Sequence, residues 1–485
     1  MNDTNPSDTP LYAARAPVFP RRVSGAFRNL KWWLMGLMLG IYYITPWIRW
    51  DRGPTLPDQA VLLDLANRRF FFFMIEIWPH EFYFVAGLLI MAGLGLFLFT
   101  SALGRVWCGY ACPQTVWTDL YLLVERWVDG DRNARLRLWH QKWNLHKVSL
   151  RLVKWSLWLL IGLATGGAWV FYYADAPTLA VNLIHGTAHP AAYLWIGILT
   201  ATTFLFGGFF REQVCIYACP WPRIQAAMMD EDTITIAYRE WRGEPRGKHR
   251  KAEGADELGD CIDCMACANV CPMGIDIRDG QQLECITCGL CIDACDEMMD
   301  KVGKPRGLIA YMALKDETAE RAGAHPKRIW KHIFRPRTML YFTLWSAVGI
   351  ALVAALFLRP PFEFNVTPVR NPIYVLLSDG SIRNTYEVRL RNKQPREMTL
   401  EITLTSDEDH DFADGHDSVQ LTLEGREANV VTVAPDETLT QRVYVTAPRG
   451  SDLADEERTD VRFWLRDVDG IKRVSADTVF NGKDD

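Results

Sequence analysis

The sequence predicts a multi-domain chain: an α-helical membrane bundle, a cysteine-rich soluble module inserted within it, and a C-terminal all-β sandwich. Three observations in its 485 residues carry this. Five apolar windows approach the ~20 residues needed to cross ~30 Å of hydrocarbon. The 12 cysteines fall into short-spaced groups, none beyond Cys295. After Phe362 the pattern turns to period-two alternation. With 53 Lys and Arg against 58 Asp and Glu the net charge is −5, and no basic arm appears, so no nucleic-acid partner is expected. Cysteines clustered in this way also exclude a disulfide-rich secreted scaffold.

The apolar windows are 31–48, 82–103, 155–173, 191–210 and 338–358. Several carry interfacial rings near their ends, such as Trp32, Trp47, Tyr172 and Tyr173. Lys and Arg number five in residues 1–31, four in 49–81, nine in 104–154, none in 174–190 and 19 in 211–337. The positive-inside rule then places the N-terminus, 104–154 and 211–337 in the cytoplasm of a bacterial inner membrane, and the tail in the periplasm. The first window follows some 30 mostly polar residues without a small-residue cleavage site, which reads as an uncleaved signal anchor. The expected division is a cytoplasmic tail 1–30, four transmembrane helices as two hairpins over 31–254, a cluster module 255–300, a linker 301–337, a fifth transmembrane helix 338–358 and a sandwich 362–485.

Residues 261–272 read CIDCMACANVCP and 285–296 read CITCGLCIDACD, both C-x₂-C-x₂-C-x₃-C. Three closely spaced cysteines wrap three corners of a cubane from one loop, and the fourth corner needs a ligand from elsewhere. In bacterial-type two-cluster ferredoxins the fourth Cys of each run serves the other [4Fe–4S] cluster. The expected sets are therefore Cys261, Cys264, Cys267 and Cys295, and Cys285, Cys288, Cys291 and Cys271. A zinc site, usually two separated C-x₂₋₄-C pairs, fits eight such cysteines poorly.

The other four cysteines form an internal repeat. WCGYACPQ carries Cys108 and Cys112, and VCIYACPW carries Cys215 and Cys219. Each C-x₃-CP follows an apolar window on the same expected face. On a helix, i and i+4 share a face, so each pair could chelate one ion, with the proline opening the next helix. Soft thiolates suit Cu(I), zinc or iron–sulfur centres, which leaves copper and a third cluster both open. Arg105, Arg211 and Arg223 are expected to favour the thiolate forms, or to serve only the charge asymmetry of the loops.

At this point the chain resembles the CcoG family, also called FixG or RdxA, the accessory proteins of cbb3-type cytochrome c oxidase. The resemblance lies in WCGYACPQTVWTDLY, REQVCIYACPWPRIQAAMMDED, REWRGEPRG and the two cysteine runs. It implies an integral membrane iron–sulfur protein that reduces Cu(II) to Cu(I) for the oxidase's copper centre. It makes Cys108, Cys112, Cys215 and Cys219 candidates for the catalytic or copper-binding thiols, and the C-terminal domain immunoglobulin-like. The implied partners are the lipid bilayer, a cytoplasmic electron donor, and copper-handling and oxidase assembly proteins.

Other features invite weaker readings. His185 and His189 in HGTAH have a spacing that could bind copper or haem, but a solvated loop is the simpler reading. Residues 70–77, FFFFMIEI, are too short to span and read as an interfacial helix, with Glu76 and His80 as candidates for a quinol site. Segment 126–154 could dock a donor protein, but a basic amphipathic helix on anionic lipid is the simpler reading. In the tail, TYEVRLRNK, MTLEITL, VQLTL, NVVTV, QRVYVTA and VRFWLRD read as sandwich strands; His410 and His416 form no ligand pair. No phosphate-cradling or dinucleotide glycine motif appears, so electrons arrive from outside the chain. Besides a cupric reductase, a quinol-linked conduit and a non-enzymatic assembly platform remain consistent with these residues.

Overall fold

In the computed structural model, which describes residues 17–53, 56–78, 81–247, 258–325, 327–360, 362–394, 396–406, 419–435, 437–470 and 472–483, the chain forms two units. One holds residues up to 50 and 59–352, the other 51–58 and 353–485. His80, His410 and His416 lie outside the described residues.

Among the described residues four helices are long and apolar enough to cross a membrane: Tyr83–Leu103, Leu145–Val170, Pro190–Phe210 and Pro336–Leu358. Their boundaries follow from local chemistry. The Asn144 side chain accepts from the Lys147 N–H at 2.7 Å and caps the second helix. His189 caps the third, its Nδ1 accepting from the Ala191 N–H at 3.2 Å, while His185 Nδ1 bonds the Val181 carbonyl at 2.9 Å. Both histidines of HGTAH thus serve local backbone. The second and third helices meet closely because Gly166 lacks a side chain: a Cβ there would lie 2.8 Å from the Ile196 carbonyl.

Three expectations change. The first apolar window lies in a 19-residue helix, Ala26–Ile44, that is not among the four. Its first two turns carry Arg28, Asn29 and Lys31, and Arg28 and Lys31 are buried against protein. The run FFFFMIEI is no helix. Strands Val61–Asp64, Arg69–Phe72 and Ile75–Ile77 form an antiparallel sheet, with Phe71 opposite Leu62 and Glu76. Aromatic residues suit a pleated, half-buried surface, and Glu76 pairs with Arg69 at 3.4 Å. Segment 126–154 is no single amphipathic helix: Arg132–His140 ends before Leu145–Val170 begins, and Arg135 is buried against Glu125.

The cysteine runs sit in a small module whose helices are Ala266–Val270 and Leu290–Val302. Strands Ile234–Tyr238 and Ile309–Ala313 pair antiparallel beneath them, so its framework reaches outside 255–300. Ile236, Tyr238, Met299, Leu308 and Ile309 share a core with Cys261, Cys267 and Cys295.

The second unit is a sandwich of two antiparallel sheets. One contains Phe362–Pro368, Ile382–Asn392, Thr438–Ala447 and Gln420–Leu423, with Val375–Leu376 at Ile382–Asn392; the other contains Val430–Val433, Met398–Ser406, Arg458–Asp467 and Arg473–Asn481. Alternate residues point inward, as in Tyr386, Val388 and Leu390, all fully buried. Tyr386 packs edge-on against Phe463 and donates to the Val479 carbonyl at 2.9 Å, tying the sheets together.

Candidate functional site

Two cavities open in the cysteine module. One is lined by Cys261, Cys264, Cys267 and Cys295. The other is lined by Cys271, Cys285, Cys288 and Cys291, with Cys267 on the shared wall. The fourth cysteine of each run lines the other run's cavity. Burial pushes the Cys295 thiol up to about 12, aided by Cys267, Asp296, Cys261 and Cys264, while Cys271, also raised to about 12, is raised further by Cys288 and Cys285. Among the described residues no three His, Cys, Asp or Glu side chains converge tightly enough to hold a single metal ion. The sulfurs instead line apolar chambers, and four thiols around each chamber fit an iron–sulfur cluster.

The two C-x₃-CP repeats share a backbone design. Each follows an apolar helix that ends at a positive φ, Gly104 at 62° and Arg211 at 43°. Cys108 lies in a short helix, Val106–Tyr110, and Cys215 in a π-helical turn, Val214–Ala218. In each repeat the second cysteine leaves the helix with extended backbone. The Cys112 N–H donates to the Trp107 carbonyl at 2.9 Å, and the Cys219 N–H to the Val214 carbonyl at 2.8 Å. The i,i+4 face expected for each pair is therefore not formed. Pro113 does open the next helix, Pro113–Asp129, and Pro220 caps Trp221–Met228.

The repeats latch across one another. The Gln114 amide donates to the Phe206 carbonyl at 2.9 Å and the Arg211 carbonyl at 3.2 Å. Gln225 donates to Thr100 Oγ1 at 3.2 Å and accepts from Cys108 Sγ at 3.2 Å. Each repeat's following helix thus grips the end of the other repeat's apolar helix, a pairing for which the sequence offered only the duplicated motif as a signal. Burial pushes the Cys215 thiol up to about 12, and Cys112, Cys108 and Cys219 add to the rise. Burial also raises Cys108, against the opposing pull of Arg105. The expected thiolate-favouring effect of arginine is outweighed at both. Arg211 pairs instead with Glu125 at 2.8 Å, and Arg223 is exposed.

The thiol repeats dock on the second cysteine run. Arg105 donates to the Leu283 carbonyl and the Tyr110 hydroxyl to the Cys288 carbonyl at 2.9 Å. Gly109 lies so close that a Cβ would sit 2.5 Å from the Ile286 carbonyl. Cys108 and Cys215 pack against the apolar cluster that contains Cys288, as does Cys271. Residues 18–23 join this packing, with Val23 in the same cluster and the Arg21 N–H on the Asn269 carbonyl at 2.8 Å. No sequence signal marked that tail as part of the module.

Models of known families match three stretches: a 4Fe-4S binding domain over residues 84–130, a 4Fe-4S dicluster domain over 210–314, and the IG-like fold at the C-terminal of FixG over 352–483. Together with the apolar helices they define the class, a membrane iron–sulfur electron-transfer protein of ferredoxin type. The chain is 69% identical over 484 residues to Protein RdxB of Cereibacter sphaeroides, covering 100% of both chains. It is 64% identical over 461 residues to Protein RdxA of the same organism, covering 95% of this chain and 96% of that one. Against the nitrogen fixation protein FixG of Rhizobium meliloti it is 54% identical over 473 residues, with 92% and 90% covered. The chain belongs to the CcoG/FixG/RdxA family.

Proposed function

We propose that this chain carries electrons from a soluble cytoplasmic donor to Cu(II) and releases Cu(I) for the copper centre of a cbb3-type oxidase. The observation that carries the reading is the continuous apolar packing of Cys108 and Cys215 with Cys288 and Cys271. It joins the thiol repeats directly to the second cysteine run.

Cys261, Cys264, Cys267 and Cys295 hold one [4Fe–4S] cluster, and Cys285, Cys288, Cys291 and Cys271 the other. Bound clusters of this type supply one-electron carriers, and one electron separates Cu(II) from Cu(I). Cys108, Cys112, Cys215 and Cys219 receive copper as substrate, since thiolates are soft ligands that favour Cu(I). Burial keeps Cys108 and Cys215 protonated until a cation arrives, and metal binding displaces those protons. Arg105, Gly109 and Tyr110 hold the two sulfur-bearing regions in register. The cysteine module faces the cytoplasm of a bacterial inner membrane in this reading, and the immunoglobulin-like domain faces periplasmic copper-handling and oxidase assembly partners.

Anaerobic addition of Cu(II) to the chemically reduced protein tests the proposal. The expected result is reoxidation of the cluster absorbance with matching Cu(I), lost in the quadruple Ser variant at Cys108, Cys112, Cys215 and Cys219 while its iron is retained. Clusters that stay reduced in the presence of Cu(II) overturn it. One observation favours a competing role for the four thiols: the 4Fe-4S binding match at 84–130 spans Cys108 and Cys112. A third cluster there predicts about twelve irons per chain, falling to about eight in the quadruple variant.

A further inference from the structure

One cavity near the thiol repeats is not lined by cysteine. It holds about 520 Å³ between the start of helix Leu145–Val170 and the end of Pro190–Phe210. Its walls combine tryptophans, among them Trp139, Trp143 and Trp155, with Lys147, Arg151, Lys154 and Arg211. At 1.5 Å per residue the 26-residue helix is about 39 Å long, longer than ~30 Å of hydrocarbon by about two turns. Lys147 and Arg151 lie in those first two turns, at the depth of lipid headgroups.

The charges in this pocket are unbalanced. Glu125 is shared by Arg135, Lys154 and Arg211, and Asp129 by Lys154 and Arg151. Among the described residues that line the cavity, the cations Lys147, Arg151, Lys154 and Arg211 outnumber the carboxylates Glu125 and Glu212. Lys147 is the telling member. It is only 6% exposed, and its ammonium donates to the Trp139 carbonyl at 3.2 Å and the Gln141 carbonyl at 2.5 Å. It also stands over the Trp143 ring at 5.1 Å. Among the described residues it has no carboxylate within ion-pair distance. A buried cation held by carbonyls and a ring, beside an open chamber, is short of an anion.

We propose that this cavity binds the phosphate of an anionic phospholipid. Lys147 and Arg151 receive the phosphate, and the tryptophans flank it as interfacial rings do. Phosphate rather than a neutral headgroup is favoured because the excess charge is positive and comes from more than one element. The bound lipid also braces Arg211, the strained residue that leads into the second thiol repeat.

Native mass spectrometry of the full chain, delipidated in detergent and exposed to dioleoyl-phosphatidylglycerol, dioleoyl-phosphatidylcholine or inorganic phosphate, tests this. The expected result is preferential retention of phosphatidylglycerol. Lys147→Gln and Arg151→Gln should each weaken that retention by about tenfold, whereas Lys142→Gln, at an exposed neighbour, leaves it unchanged. Iron content and helical circular dichroism report whether each variant is folded, and Trp143→Ala, at an exposed ring, provides a milder change expected to weaken retention in the same direction. Equal retention of the two lipids overturns the proposal, as does an undiminished preference in both charge variants. Inorganic phosphate that displaces the lipid at comparable concentration makes this a soluble-phosphate site and removes the lipid. A long-chain quinone that binds regardless of Lys147 and expels phosphatidylglycerol replaces the proposal with a quinone site.

Discussion

The Tyr110 hydroxyl donates to the carbonyl oxygen of Cys288 across 2.9 Å, joining the first thiol repeat to the second cysteine run over 178 residues of sequence. Tyr110 is buried, and burial pushes its phenol up to about 12, so it stays a donor throughout the physiological range. Tyr311 makes the neighbouring bond to the Thr287 carbonyl at 2.6 Å. Two tyrosines thus hold consecutive carbonyls of the loop that carries Cys288.

Tyr110→Phe keeps the ring packing and removes the donor, leaving the Cys288 carbonyl short of one partner. The expected loss is about 1 kcal/mol of stability, read as a lower unfolding midpoint in detergent with iron content preserved. An unchanged midpoint would show that the bond contributes nothing to holding the loop.

Gly109→Ala acts at the same interface by crowding. The added Cβ meets the backbone carbonyl of Ile286 and, at 3.1 Å, the Cα of Cys288. Backbone cannot swing aside as a flexible side chain can, so the cysteine loop must shift, at about 1–3 kcal/mol. Limited proteolysis should cut the variant near residues 283–288 faster than wild type. Gly167→Ala, where a Cβ meets nothing within 4 Å, should leave the cleavage rate unaltered.

The crossed cysteine sets predict which losses overlap. Cys295→Ser and Cys261→Ser line one cavity, so the double variant should lose no more than the about four irons that either single variant loses. Cys271→Ser with Cys261→Ser strikes both cavities and should lose about eight. Iron assays that pair Cys271 with Cys261 instead would overturn the crossing.

The iron–sulfur character was legible in the sequence because ligand spacing is local: a C-x₂-C-x₂-C-x₃-C loop has few ways to present its sulfurs. The sandwich strands were legible through alternation, as in Ile382–Asn392, whose buried residues recur every second position. Where the pattern was absent the reading failed. FFFFMIEI has no periodicity, and only its pairing with Val61–Asp64 makes it a hairpin. Long-range polar contacts left no trace either. Asp293, midway between Cys291 and Cys295, accepts from the Arg28 N–H at 2.7 Å and caps the helix that begins at Ala26. Gly25 at that cap has no side chain to supply, so the acceptor comes from 265 residues away. Arg211 looked like a thiol neighbour in sequence but turns to Glu125.

Asp119 provides the pH test. Its carboxylate accepts from the Arg28 guanidinium at 3.0 Å, with the Lys31 ammonium 3.9 Å away, and all three side chains are buried. Burial alone disfavours the charged carboxylate, but Lys31 and Arg28 outweigh it and hold Asp119 below the ordinary carboxylate range. A carboxylate depressed in the folded state stabilises above its unfolded pKa, ~3.9, and that stabilisation is lost as pH falls through the lower folded value. Asp119→Asn leaves two buried cations without their counter-charge and should lower stability at pH 7 by about 3–5 kcal/mol. The difference between wild type and variant should shrink below pH ~4 as Asp119 itself takes up a proton. Comparing the two proteins at each pH cancels acid damage common to both. A difference that stays constant from neutral pH down to pH ~3 would mean that Asp119 is not the counter-ion of Arg28 and Lys31.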